Sequence, residues 1–189
     1  MMEHDGDVIT VLTTDHREVE QMFAELEASR GSGDEERRRH VTEKVIIELV
    51  RHFVAEEAYL YPAVRRLIPG GDDLADREIG EHAEAERLMK DLERTDTGDP
   101  AFGHLLDKLM AAVREHMREE ESRLFPELVK YADAEELHGI GKKITAIKKI
   151  APTRPHPAAP GNPLVGKLLA PGTGLVDRIR DLASGRGKD

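Results

Sequence analysis

The sequence predicts an all-α protein: an up-down-up-down four-helix bundle with a short C-terminal helix and a flexible, proline-rich basic tail. Three observations carry that prediction. Leu, Ala, Glu, Arg and Lys dominate the 189 residues while aromatics supply only 4%, a composition that favours helix. Apolar residues recur at helical spacing through four long segments, as Val8, Leu12, Val19, Met22, Phe23 and Leu26 do in the first. Loops of about four to six residues join these segments, which makes sequence neighbours antiparallel.

The first helix is expected over residues 7–29, where "RGSGD" stops it and supplies Asp34 as N-cap of the next. The second then runs to residue 68 and stops at "PGGDD". The third covers 72–95 and ends in "TDTGDP", and the fourth starts after Pro100 and reaches residue 131. Pro62 and Pro126 fall inside the second and fourth helices, where each removes a backbone hydrogen bond and is expected to kink the axis. Beyond Asp133, "AEELHGIGKKITAIKKI" predicts a short basic helix with Ile140, Ile144 and Ile147 on one side. "APTRPHPAAPGNP" reads as an extended linker, and "GTGLVDRIRDLASGRGKD" as a short amphipathic piece. The division is a bundle over 1–132 and a basic extension over 133–189, with the chemistry expected before residue 132.

Charge divides the chain the same way. From residue 140 onward there are ten Lys/Arg against three Asp/Glu, or +7, which leaves −17 of the net −10 on residues 1–139. An acidic body argues against nucleic-acid binding, which needs cations facing phosphates. No stretch approaches the ~18 consecutive apolar residues of a membrane span, and "MMEHDGDVIT" lacks a basic-then-apolar signal pattern. The expectation is a soluble, cytoplasmic protein without membrane contact. Cysteine is absent, which excludes disulfides and thiolate metal sites. The basic tail packs on the acidic bundle, stays flexible, or meets a protein partner.

One phrase occurs twice. "HFVAEEAYLYP" from residue 52 and "HMREEESRLFP" from residue 116 share the pattern H-x-x-x-E-E-x-x-L-[Y/F]-P at an offset of 64. "DHREVEQMF" (15–23) and "EHAEAERLM" (81–89) align at an offset of 66, so helices one and two repeat as three and four. Four of the nine histidines have glutamate at i+4: His16/Glu20, His52/Glu56, His82/Glu86 and His116/Glu120. With 23 glutamates in the chain chance predicts about one such pair, and the four fall one on each helix. Positions i and i+4 lie on one helix face, about 6 Å apart along the axis. Counting residues back from each loop puts His16 level with His52, and His82 level with His116, to about one turn. Four helices aiming imidazole and carboxylate at one axis can surround two metal ions. That donor set, without sulfur, suits iron or manganese better than structural zinc.

These residues resemble the hemerythrin-like HHE cation-binding family, whose fold is a four-helix bundle around a non-haem di-iron centre. The resemblance covers about residues 7–131, through "DH" in helix one, "HFVAEEAYLYP" in helix two, "EH" and Glu86 in helix three, and "HMREEESRLFP" in helix four. It implies His16, His52, Glu56, His82, Glu86, His116 and Glu120 as metal ligands, with Glu56 and Glu120 bridging. The ions implied are two irons, oxo- or hydroxo-bridged when oxidised, ahead of manganese. Glu86 stands where an oxygen-carrying member would have the second histidine of an HxxxH pair. The last carboxylate follows its histidine by four residues rather than five. Exchanging imidazole for carboxylate adds negative charge, which stabilises the ferric state. The function implied is therefore reaction with dioxygen, hydrogen peroxide or nitric oxide, in oxidative-stress or iron-handling chemistry, ahead of reversible transport. Catalase-, peroxidase- or ferroxidase-like activity would follow. A sensing module without turnover and an iron store are the alternatives.

Other residues receive plainer readings. Glu20 is expected to be solvated or to sit behind the ligands. Glu57 and Glu121 point about 100° from the metal seam, so both are expected exposed or behind the ligands. Tyr61 and Phe125 occupy equivalent repeat positions, which favours packing. His4, His40, His104, His138 and His156 read as solvated.

Overall fold

The computed structural model describes residues 6–31 and 33–155. His4, His156, most of the proline-rich linker and the terminal amphipathic segment lie outside them. The four predicted helices are present. The first is α1 (Val8–Ala28), capped by Asp7, which accepts from the Thr10 N–H at 2.8 Å. The second opens as α2 (Glu35–Ala55) with Asp34 accepting from the Arg37 N–H at 3.0 Å, as expected of that cap. It continues through a π turn (Glu56–Leu60) into α3 (Tyr61–Leu67). The third helix is α4 (Gly71–Arg94). The fourth opens as α5 (Pro100–Glu119), passes a π turn (Glu120–Leu124) and ends as α6 (Phe125–Tyr131). The short basic helix follows as α7 (Ala134–Lys148).

The π turns answer the two internal prolines. Pro62 and Pro126 have no N–H to give and would press their rings on the carbonyl four residues back. The chain widens one turn just before each. Tyr61 N–H donates to the Glu56 carbonyl and Phe125 N–H to that of Glu120, five residues back instead of four. Each proline then sits in the first turn of the next helical segment, where a missing donor costs nothing. Both wide turns begin on the glutamate of the repeated phrase.

Side-chain pairs fix the helix directions. Asp15 meets His52 while Glu25 meets Arg37, so α1 and α2 are antiparallel. Arg77 meets Glu119 and His82 meets His116, so α4 and α5 are too. His16 lies by Glu120 and Arg30 by Asp107, which closes α5 against α1.

The core has three strata. One apolar layer gathers Val19, Phe23, Leu49, Phe53, Met89, Leu92, Phe102 and Leu109. The other gathers Val8, Leu12, Leu60, Tyr61, Val64, Leu124 and Phe125, and α7 adds Leu137, Ile140, Ile144 and Ile147 to it. Between them lies a belt of buried polar residues: Asp15, His16, His52, Glu56, Glu57, Glu78, His82, Glu86, His116 and Glu120. Among the described residues no helix is long and apolar enough to cross a membrane.

α7 is built into the bundle. Residues 151–153 and 155 beyond it are buried as well, so the first part of the expected linker lies against the body. Gly141 allows α7 its approach, since a β-carbon there would lie 2.5 Å from the Gly6 carbonyl oxygen.

The turn between α3 and α4 depends on two glycines. Gly70 has φ +74, and a β-carbon on Gly71 would lie 2.1 Å from the Val64 carbonyl oxygen. Gly71→Ala is therefore expected to destabilise the fold by about 2 kcal/mol or more, through forced backbone displacement. Gly80, mid-helix in α4 with nothing within 4 Å, is the control. Gly80→Ala should stabilise by up to about 1 kcal/mol. Urea unfolding of the two variants checks both signs.

Candidate metal centre

The heights inferred from loop counting agree with the structure. His16 Nε2 lies 3.3 Å from His52 Nε2, and His82 Nε2 lies 3.1 Å from His116 Nε2. The two carboxylates at i+4 complete the group. Glu56 Oε1 is 3.0 Å from His52 Nε2, and its Oε2 is 3.3 Å from His82 Nε2. Glu120 Oε2 is 3.3 Å from His16 Nε2 and 3.6 Å from His116 Nε2.

Donor atoms thus converge in groups whose members all lie within 4.8 Å of one another: His16, His52, Glu56 and Glu120; Glu56, His82 and His116; Glu78, His116 and Glu120. Glu56 is common to the first two groups, and Glu120 to the first and third. All seven residues of these groups are buried.

The chemistry of this arrangement fits a cation. Both oxygens of Glu56 and Oε2 of Glu120 accept no hydrogen bond of acceptable geometry, although imidazole nitrogens crowd round them. When each ring carries its proton at Nδ1 alone, paired Nε2 atoms about 3 Å apart turn lone pairs toward each other. Lone pairs converging without donors are costly when buried. A divalent or trivalent ion among them removes that cost, and nitrogen with carboxylate oxygen is a donor set for iron or manganese.

Behind the convergent faces, each ring is held at Nδ1 by a carboxylate. Glu121 holds His16 at 2.8 Å, Asp15 holds His52 at 3.3 Å, Glu57 holds His82 at 3.0 Å, and Glu81 holds His116 at 3.1 Å. The pattern obeys the internal repeat. Glu57 and Glu121 are equivalent and hold the histidines of α4 and α1; Asp15 and Glu81 are equivalent and hold those of α2 and α5. A carboxylate at Nδ1 keeps the proton there, leaves Nε2 free toward the centre and raises ligand basicity.

Glu57 and Glu121 therefore sit behind the ligands, the second of the two expectations for them. Glu57 is buried, while Glu121 remains 45% exposed at its side chain. Asp15 and Glu81 escaped the sequence reading. Their signal was the acidic residue before each histidine in "DH" and "EH", repeated at an offset of 66. Glu78 was also missed; it is fully buried, 3.1 Å from His116 Nδ1, and bonded by Arg77 at 2.9 Å.

Aromatic rings steady two imidazoles. Phe53 stacks on His82 with centroids 3.9 Å apart, and Phe125 stacks on His16 at 5.9 Å. Tyr61 packs in the apolar layer as its repeat position suggested, but its hydroxyl also reaches the centre. It lies 3.0 Å from His82 Nε2 and donates to Glu120 Oε1 at 3.3 Å. Burial pushes this phenol well above its ordinary pKa, and the nearby Glu56 and Glu120 carboxylates push the same way.

The two remaining i+4 glutamates differ. Glu20 turns outward to Arg114, at 2.6 Å, with its side chain 47% exposed, the first of the two expectations for it. Glu86 is buried one turn past His82 in α4, and it is not among the residues whose donor atoms converge. His104 and His138 are not part of these groups either. Every convergent donor lies before residue 132, and one contact with a residue behind them comes from beyond it. Lys148 of α7 donates to Asp15 at 2.5 Å, because the fifth helix folds back alongside α1.

On one flank the centre borders a cavity of about 190 Å3 between α4 and α5. Phe53, Ala85, Ala112, Val113 and His116 line its inner part, and Glu81, Glu84 and Glu115 its acidic mouth.

In the metal-free protein His52, His82 and His116 hold protons firmly. Burial opposes this for His52, but the carboxylates of Glu56 and Asp15 outweigh it and push its pKa up to about 10. His82 and His116 are raised too, again against burial, by Glu56 and Glu57 for one and by Glu120, Glu78 and Glu81 for the other. A histidine pKa raised on folding contributes stability that is complete below the unfolded value of about 6.5 and is lost as pH climbs to the folded value. Chelator-treated protein should accordingly lose stability between pH about 6.5 and 10, seen as a falling urea midpoint. A cation at Nε2 must displace those protons. Ferrous loading at pH 7 in weak buffer should therefore acidify the solution, read with an indicator dye.

Comparison with known proteins gives four findings. The hemerythrin HHE cation-binding domain family matches residues 7–128. An uncharacterised hemerythrin-like protein of Schizosaccharomyces pombe is 27% identical over 173 residues, covering 89% of this chain and 82% of that one. A DNA nickase of Nostoc is 30% identical over 123 residues, 65% of this chain but 34% of the nickase. Among solved structures, a hemerythrin HHE cation-binding domain-containing protein from Mycobacterium kansasii superposes with TM-score 0.65 at 22% identity, over 76% of this chain and 85% of that one.

Proposed function

The chain belongs to the hemerythrin HHE cation-binding family, and on that premise we propose that its buried histidine–glutamate layer holds two iron ions for reaction with dioxygen, hydrogen peroxide or nitric oxide. The observation that carries this reading is the pair of donor groups sharing Glu56, a carboxylate with no hydrogen-bond donor of its own. His16, His52, His82 and His116 would hold the ions terminally, with Glu56 and Glu120 between them. Glu86, buried one turn past His82, would join them. Ions so bound supply Lewis acidity and one-electron redox chemistry toward small oxygen and nitrogen species.

The protein's own contribution is orientation and exclusion of water. Carboxylates at Nδ1 aim each imidazole, and the apolar layers above and below leave the α4–α5 cavity as the way in for a small molecule. Tyr61 keeps a phenolic proton within hydrogen-bond reach of Glu120. A donor set with three or more carboxylates favours the higher oxidation state, so peroxide turnover or iron oxidation ranks ahead of reversible oxygen carriage. Nothing of nickase activity is carried over, since only a third of that relative is matched and residues 1–139 carry −17. Sensing without turnover is the competing reading, favoured by the contact between α7 and the centre. Ending the chain after Pro155 separates the two: an enzyme keeps its turnover, a sensor loses its output while still binding ligand.

Elemental analysis of protein purified without a histidine tag should find about two irons per chain. Protein that lacks iron and also refuses reconstitution with ferrous ion under argon would sink the reading. Glu56→Gln, which keeps the shape and removes the shared charge, should retain less than about half the wild-type iron, in line with tenfold or greater affinity losses at such sites. Ala112→Leu, projecting into the cavity, should slow peroxide consumption several-fold at unchanged iron content, measured by oxygen evolution or peroxide absorbance.

A further inference from the structure

α7 lies beyond the family match, which ends at residue 128, yet it reaches the centre. Lys148 Nζ donates to Asp15 Oδ1 at 2.5 Å, and Asp15 Oδ2 faces His52 Nδ1 at 3.3 Å. Asp15 is 4% exposed and Lys148 18%, so the ammonium–carboxylate–imidazole chain is largely sealed from water.

The internal repeat shows what this contact replaces. In the second half of the bundle, Arg77 of α4 bonds Glu78, which faces His116 Nδ1 at 3.1 Å. The equivalent positions of α1, at an offset of 66, are Val11 and Leu12, both buried apolar residues. The first half therefore has no built-in cation behind its carboxylate, and α7 supplies one from outside. Register makes the supply specific. Gly141 packs against the start of α1, at Gly6–Val8, and Lys148 meets Asp15. Seven residues separate the two contacts on α7 and seven to nine on the α1 side, about two turns each, so α7 runs parallel to α1 and cannot slide without breaking both.

We propose that α7 is a working part of the metal centre, with Lys148 as a positioning residue that anchors Asp15 and thereby orients His52 toward the ion. The coupling runs both ways. If Lys148 strengthens metal binding through Asp15, metal binding must tighten α7 by the same factor. Occupancy of the centre is thereby felt at the point where the basic C-terminal extension begins. The proposal rests on the metal-binding reading above.

Two measurements on the full chain test it. The first is anaerobic titration with ferrous ion alone, read by calorimetry and by the electronic spectrum of a cobalt(II)-substituted sample. Lys148→Met is expected to weaken ferrous binding about tenfold or more, the usual range for partners that orient a ligand. Lys148→Arg should restore most of it. Lys142→Met, which removes the same charge from an exposed position of the same helix, should stay within about twofold of wild type. The second is hydrogen exchange of the unsubstituted protein, where ferrous ion should slow the amides of α7. Wild-type affinity in Lys148→Met overturns the proposal, as does α7 exchange indifferent to ferrous ion in the unsubstituted chain. A wild-type chain that takes up no ferrous ion overturns the metal reading beneath it instead.

Discussion

A belt of ionisable groups inside a helical core is the constraint on which the rest of the structure depends. Moving an unpaired carboxylate or imidazolium out of water costs several kcal/mol, and this bundle buries four histidines, five glutamates and an aspartate in one stratum. Every neighbouring feature answers that cost. Nδ1 atoms are matched one by one with carboxylates, and Arg77 and Lys148 bring positive charge to the edges. The Nε2 atoms and the Glu56 and Glu120 oxygens, however, face one another. A cation is the group that satisfies them together.

The same constraint explains the local backbone. A regular α-helix through Pro62 or Pro126 would lose a hydrogen bond beside the centre. The π turns instead begin on Glu56 and Glu120, so the irregularity falls where the chain also places its two shared convergent carboxylates. Wide turns of this kind recur at functional sites because they re-aim side chains without breaking the helix. The apolar layers on either side then hold the stratum in place, Phe53 against His82 and Phe125 against His16.

The internal repeat gives a near-symmetric site, and its two halves differ in what surrounds them. Tyr61 brings a hydroxyl to the centre where Phe125 brings only a ring face. Arg77 and Glu78 back His116 from within α4, whereas His52 depends on a helix outside the repeat. α7 closes the flank at Asp15, and the equivalent flank at Glu81 borders a cavity with an acidic mouth. The two halves thus present a sealed side and an accessible one.

The sequence by itself determined the helices, their order and six of the seven convergent donors, all but Glu78. Period-3.6 patterning, a strong cap at Asp34, and histidine–glutamate pairs at i and i+4 are local properties that survive without knowledge of packing. Loop lengths sufficed to set His16 level with His52. What the tertiary structure alone decided is which carboxylates stand behind the ligands, since Asp15 holds the ring of His52, not its own neighbour's, and Glu57 crosses to His82. Helical position says which way a side chain points from its own axis, but not which ring on another helix it meets. The same reason hides Glu78, Tyr61 and Lys148, whose partners lie 21 or more residues away. Glu20 and Glu86 hold equivalent repeat positions, which the resemblance alone told apart, and packing sends one to Arg114 and the other into the core.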